Sequence, residues 1–163
     1  MSSERINSWL SLIANVGVLV GIALLAAELR HNTLATQRML YQEQMNYGRE
    51  HSELLVGDEN EKLASLVFRG EADPGSLSAE EFEKFILYTA WRMAVWESTF
   101  LNYEDGLTTQ RNWESWDAWY SSLLSRGPGY QAWWDATRHG YDKAFQDRVD
   151  QAFISARQTQ KEK

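Results

Sequence analysis

The polar and apolar positions divide the chain sharply near its start. From Trp9 to Ala27 no residue is charged, and Ser11 and Asn15 are the only strongly polar side chains. At about 1.5 Å rise per residue a helix of this length comes close to the ~30 Å hydrocarbon thickness of a bilayer. A soluble core helix would show a polar face at helical period, and this stretch has none. The pattern predicts an uncleaved membrane helix. A secretory signal fits worse: Glu4 stands beside Arg5, and cuts after Ala26 or Ala27 would put Leu24 or Leu25 at the minus-three position.

Beyond Leu29 the pattern becomes amphipathic. Leu29, Thr33, Thr36, Leu40, Gln44, Tyr47, His51 and Leu54 follow near-heptad spacing, with too many polar members for a strong two-stranded coiled coil. This seam is expected to continue the membrane helix as a rod that packs on the chain's own later helices. "VGDEN" should break the rod, and Glu61 to Arg69 should form a short helix ended by Gly70. Ser78 and Glu81 make a capping box before Phe82, Ile86, Thr89, Met93, Trp96, Phe100 and Tyr103, which recur in steps of four and three. Gly106 should stop that helix in a left-handed cap, and Thr108 or Thr109 should cap the next, whose inner face reads Trp113, Trp116, Tyr120, Leu123 and Leu124. After "RGPGY", "YQAWWDATRHG" reads as a short helix, and Asp142 should cap a last one burying Phe145, Val149 and Phe153.

The expected fold class is therefore all-α: an N-terminal transmembrane helix continuing into a long helix, then a Trp-rich helical-bundle domain. The expected divisions are an anchor over 1–29, its helical extension over 30–57, a helical domain over 58–157 and a frayed tail over 158–163.

Composition removes several functions. The formal charge is −7, from 23 acidic and 16 basic residues, with no basic run, which argues against nucleic acid as a partner. With no cysteine there is no disulfide, thiolate nucleophile or Cys-based zinc site. Glu28 and His31 form one E-x-x-H, a spacing that di-iron bundles use twice, and no second copy occurs. His51 lies on the rod's seam, where a hydrogen-bonded structural histidine is expected, and His139 lies at a helix C-terminus. Neither a G-x-S-x-G elbow nor a phosphate-binding glycine loop is present. Glu97 and Glu104 share a helix face, but their spacing alone does not make an acid/base pair. The chain is accordingly expected to be non-enzymatic, with no catalytic, cofactor-binding or metal residues.

Two features point to association. Gly17 and Gly21 form a GxxxG pair in the apolar helix, with Asn15 on the opposite side, so two neighbours could pack against it. The partners expected are membrane lipid and either a second copy or a larger membrane complex. The second feature is the set of eight tryptophans. Trp96, Trp113, Trp116, Trp133 and Trp134 are the candidate aromatic cluster, and three uses compete for it. They are a core of large rings, a cage for a cationic or apolar small molecule beside Glu97 or Asp117, and rings at lipid headgroups or in a partner interface. Adjacent Trp133 and Trp134 point about 100° apart on a helix, so one of them is expected to stay exposed.

"AELRHNT", "SLSAEEFEKF" and Ala132-Trp133-Trp134 with Arg138, Phe145 and Asp150 together resemble an uncharacterised family of short bacterial proteins with one N-terminal transmembrane helix and a helical domain. The resemblance implies bacterial origin, attachment to the inner membrane in a single pass, and no assigned catalytic residue. Arg30 and Arg38 following the apolar run tilt the positive-inside balance toward a cytoplasmic C-terminal domain.

Overall fold

The computed structural model describes residues 3–56 and 60–161, and no strand occurs among them. The helices are α1 (Ser3–Val56), α2 (Glu61–Ala72), α3 (Ala79–Glu104), α4 (Gln110–Leu123), α5 (Pro128–Thr137) and α6 (Lys143–Lys161), with 3-10 turns at Pro74–Ser76 and Arg138–Gly140. The expected all-α class is the observed one. By internal contacts the chain falls into two units, Met1–Met39 and Leu40–Lys163.

In the first unit α1 is a bare helix. Every described residue from Asn7 to Ala35 is exposed, including Leu19 and Leu24 at 66%. It is long and apolar enough to cross a membrane, and none of its apolar window is buried.

In the second unit α3 is the central element. Its start follows from local chemistry: the Ser78 hydroxyl accepts from the Glu81 N–H while the Glu81 carboxylate accepts from the Ser78 N–H. Its end follows from Gly106, whose φ of 70° suits a residue without a Cβ. Thr109 caps α4 by accepting from the Asn112 N–H, and Asp142 caps α6 by accepting from Ala144 and Phe145. Met93, Trp96 and Phe100 of α3 meet α4, α5 and α6 in the main core, together with Tyr120, Leu123, Phe145, Val149 and Phe153.

Several expectations need correction. The helix after residue 60 does not end at Gly70. It runs to Ala72, and Gly70 lies so close to Phe85 that an added Cβ would sit 2.5 Å from the ring. Phe85, Tyr88 and Thr99 form a second buried stripe on α3 beside the expected one, because α2 and the later turns of α1 also pack there. The α1 seam packs as expected at Leu40, Gln44, His51 and Leu54, while Leu29, Thr33 and Tyr47 are exposed. α5 begins at Pro128, with the proline in its first turn. α6 continues through the supposed tail to Lys161. The break assigned to "VGDEN" lies mostly on residues 57–59, outside the described residues.

Candidate functional site

The five tryptophans of the candidate cluster come together in the second unit, mostly as closed core. Trp96 and Trp133 have no exposed surface, Trp134 has 2% and Trp113 has 9%, while Trp116 is half-buried at the cluster's edge. Both members of the adjacent pair are thus buried, against expectation. α5 is short and wedged between α2 and α3, and Tyr141 lies against both rings at 5.7 and 5.6 Å. This is the crowded junction that an adjacent pair of rings requires.

Two indoles in this core share one arrangement. Trp96 donates its N–H to Asp117 at 3.2 Å, Arg148 pairs with the other Asp117 oxygen, and the Arg148 guanidinium lies 5.9 Å over the Trp96 ring. Trp134 donates to Asp150 at 2.7 Å, Arg138 takes the second oxygen at 2.6 Å, and Arg138 lies 5.8 Å over Trp134. The Arg138 guanidinium holds the Asp150 carboxyl below its ordinary range. Glu97 is similarly engaged: it accepts from the Asp142 N–H at 2.6 Å and so fixes the entry to α6. Of the acids flagged by the sequence, Glu97, Asp117 and Asp150 serve packing and capping here.

A small open space remains at the edge of this core. Tyr47, Gly48 and His51 of α1, Trp91 and Arg92 of α3, and Trp116 with Trp119 of α4 line a cleft of about 80 Å³. Volume limits its occupant. An apolar cavity of about 150 Å³ holds benzene, and drug-sized ligands use about 300 Å³ or more. Its cation chemistry is already committed. Arg92 sits 5.4 Å over the Trp119 ring and pairs with Glu71 at 3.2 Å, where both side chains are only 12% exposed. Tyr130 completes this network by donating to Glu71 at 2.6 Å and accepting from Arg92 at 3.1 Å. A guanidinium on the tryptophan face opposes a cationic guest there.

His51 lies on the seam, as expected, but its bonding differs from expectation. Its ring lies tilted against Tyr88 at 4.4 Å and against Trp91 at 4.9 Å. Its Nε2 and the neighbouring Tyr88 hydroxyl are both buried with no hydrogen-bond partner among the described residues. Burial, reinforced by the Arg92 charge, pushes the His51 pKa down to about 4, and burial pushes Tyr88 up to about 12. Both groups are neutral at pH 7.

The helix-association residues are placed by the first unit alone. Asn15, Gly17 and Gly21 are all exposed on α1, and a Cβ added at either glycine meets nothing within 4 Å. Among the described residues no group of three or more histidine and acidic side chains could hold a metal ion.

Sequence reasoning missed the Glu71–Arg92–Tyr130 network and the part played by Arg148. Arg92 had a weak signal, a charge one position from the buried Met93. Its partners are 21 and 38 residues away and left none.

No protein-family model, curated protein or solved structure matches this chain.

Proposed function

We propose that the chain is a single-span protein of the bacterial inner membrane. Its helical domain, on the cytoplasmic side, acts as a non-enzymatic association module that joins a larger membrane complex or a second copy. One observation carries this reading: the uncharged face of α1 from Trp9 to Ala27 is exposed all round and is not covered by the described chain. At ~25 cal/mol per Å² such apolar surface cannot remain in water, and lipid is the cover that fits a helix without a polar side. Exposed Gly17 and Gly21 add a place where a second helix could approach closely. Engagement of Glu97, Asp117 and Asp150 in packing supports a structural role for the domain.

Carbonate extraction and native mass spectrometry of the full-length protein in mild detergent test the proposal together. The expected result is a membrane pellet and an assembly larger than one chain, with Gly17→Leu or Gly21→Leu weakening any self-association. A protein that remains in the supernatant, or a strict monomer with nothing bound, overturns it.

The alternative is a membrane-tethered domain that binds or senses a small molecule. The cleft beside His51 favours it, since the ring is neutral and its Nε2 has no hydrogen-bond partner among the described residues. Its volume restricts the guest to a few heavy atoms unless α1 moves.

A further inference from the structure

α3 carries two seams. The inner one builds the core. The outer one consists of Leu87, Trp91, Ala94, Ser98 and Leu101, again in steps of four and three, and all five side chains are exposed. Leu87 is 64% exposed and Trp91 is 48% exposed. Alongside this stripe, α1 and α3 enclose a groove of about 290 Å³, walled by Leu40, Glu43 and Tyr47 on one side and by Trp91, Ala94 and Ser98 on the other. Large residues near the ends and small ones in the middle give the shape into which a helix's apolar ridge can settle.

Charge decides what fits. Glu83 stands one turn before Leu87, Asp105 one turn after Leu101, and Glu43 on the α1 wall, and all three are exposed. The cations of α3 are already paired, Lys84 with Glu80 at 2.6 Å and Arg92 with Glu71. The surface thus reads acidic, apolar, acidic. A second copy docking through this stripe would bring Glu83 against Asp105 in an antiparallel pair, or each against itself in a parallel one. Like charges meet either way. Anionic lipid is opposed for the same reason.

We propose that this groove receives an amphipathic helix of a partner protein, with an apolar face about four turns long and basic residues flanking it. From Leu87 to Leu101 the stripe is about 21 Å long, which sets that length. The proposal rests on the association reading and names the surface and the partner chemistry that reading leaves open.

The probes are two synthetic helices with the same leucine-alanine face, one flanked by lysine and arginine and the other by glutamate. Each carries a fluorophore, and anisotropy is read against the full-length protein in zwitterionic nanodiscs, with empty discs subtracted. The basic-flanked helix is expected to bind at least tenfold more tightly, and to weaken as salt is raised. Leu87→Glu and Trp91→Ala should each cost about tenfold, while Ile154→Glu, an exposed site on α6, should cost nothing. Because the three positions are exposed, unchanged circular dichroism is expected and separates lost binding from lost folding. Equal binding of both helices, or wild-type binding by both Leu87→Glu and Trp91→Ala, overturns the proposal. If the groove variants bind neither helix differently from wild type yet the full-length protein still assembles in the membrane, this surface is wrong and the association reading stands.

Discussion

The indole N–H of Trp96, a ring with no exposed surface, is satisfied by a single acceptor, Asp117 Oδ1, 3.2 Å away on the neighbouring helix. The same carboxylate holds Arg148, which lies over the same ring. One aspartate thus satisfies a donor that water cannot reach and neutralises the cation resting on it. Asp150 repeats the arrangement with Trp134 and Arg138 in a more exposed setting. The comparison predicts unequal costs. Asp117→Ala should destabilise the domain by about 3 kcal/mol, because a buried donor and a mostly buried guanidinium lose their partner together. Asp150→Ala should cost only about 1–2 kcal/mol, because Arg138, 40% exposed, can turn to solvent. Urea denaturation of the two variants in mild detergent checks the order.

Gly129 belongs to the first turn of α5, which rests directly on the end of α2. A Cβ there would fall inside the Gly70 carbonyl oxygen and against the Glu71 Cα. Both contacts are backbone and neither can rotate away. Gly129→Ala should cost about 3 kcal/mol or more, or prevent folding. Gly140→Ala, with open space around the added methyl, should stay within about 0.5 kcal/mol. Thermal melts of both proteins separate the two outcomes.

His51 makes stability depend on pH in a defined direction. Its folded pKa of about 4 lies below the ordinary 6.5. Between those values the unfolded chain binds a proton that the folded chain refuses, so stability falls as pH drops through the window and is level above it. Partial hydration of the ring limits the loss to roughly 1–2 kcal/mol. Denaturation midpoints measured from pH 7.5 to 4.5 should show the slope, and His51→Phe should remove it. Asp150 acts only at lower pH. Its depressed carboxyl adds stability above its unfolded value of 3.8, and that contribution is lost as pH falls through the folded value.

Gln44 is the one fully buried side chain between Leu40 and Val56, and it is polar. It donates to Thr99 on α3 and accepts from Asn112 on α4. In Gln44→Ala those two groups keep second partners, the Val95 carbonyl and the Thr108 hydroxyl. The variant should therefore lose about 1–2 kcal/mol, felt locally. Hydrogen exchange should speed up over residues 40–56 and remain unchanged in the middle of α3 and in α6.

What the sequence revealed was whatever depends on near neighbours. The capping box at Ser78, the stop at Gly106 and the inner faces of α4 and α6 are local patterns, and each appears as read. The outcome differs where distant segments meet. Gly70 looks like a stop because glycine often is one, and only the arrival of Phe85 makes it a contact surface. Phe85 and Tyr88 fall off the main stripe of α3 because that helix is covered on more than one side. The burial of both Trp133 and Trp134 depends on Tyr141 and on α5 lying between other helices. His51 was legible as a seam residue, yet its missing partner was not, because the aromatic rings that enclose it come from α3.

The later turns of α1 give neither hydrophobic cluster a fully buried apolar side chain, and that has a bearing on how the gene can vary. The buried apolar side chains lie between Leu66 and Phe153, and α1 meets the bundle through Gln44, Gly48, His51 and Leu55, so substitutions in its exposed turns up to Ala35 do not force matching changes in the interior. Selection on those exposed turns and selection on the bundle's interior can then proceed as two nearly separate problems, while residues 40–56 must vary in step with the helices they touch.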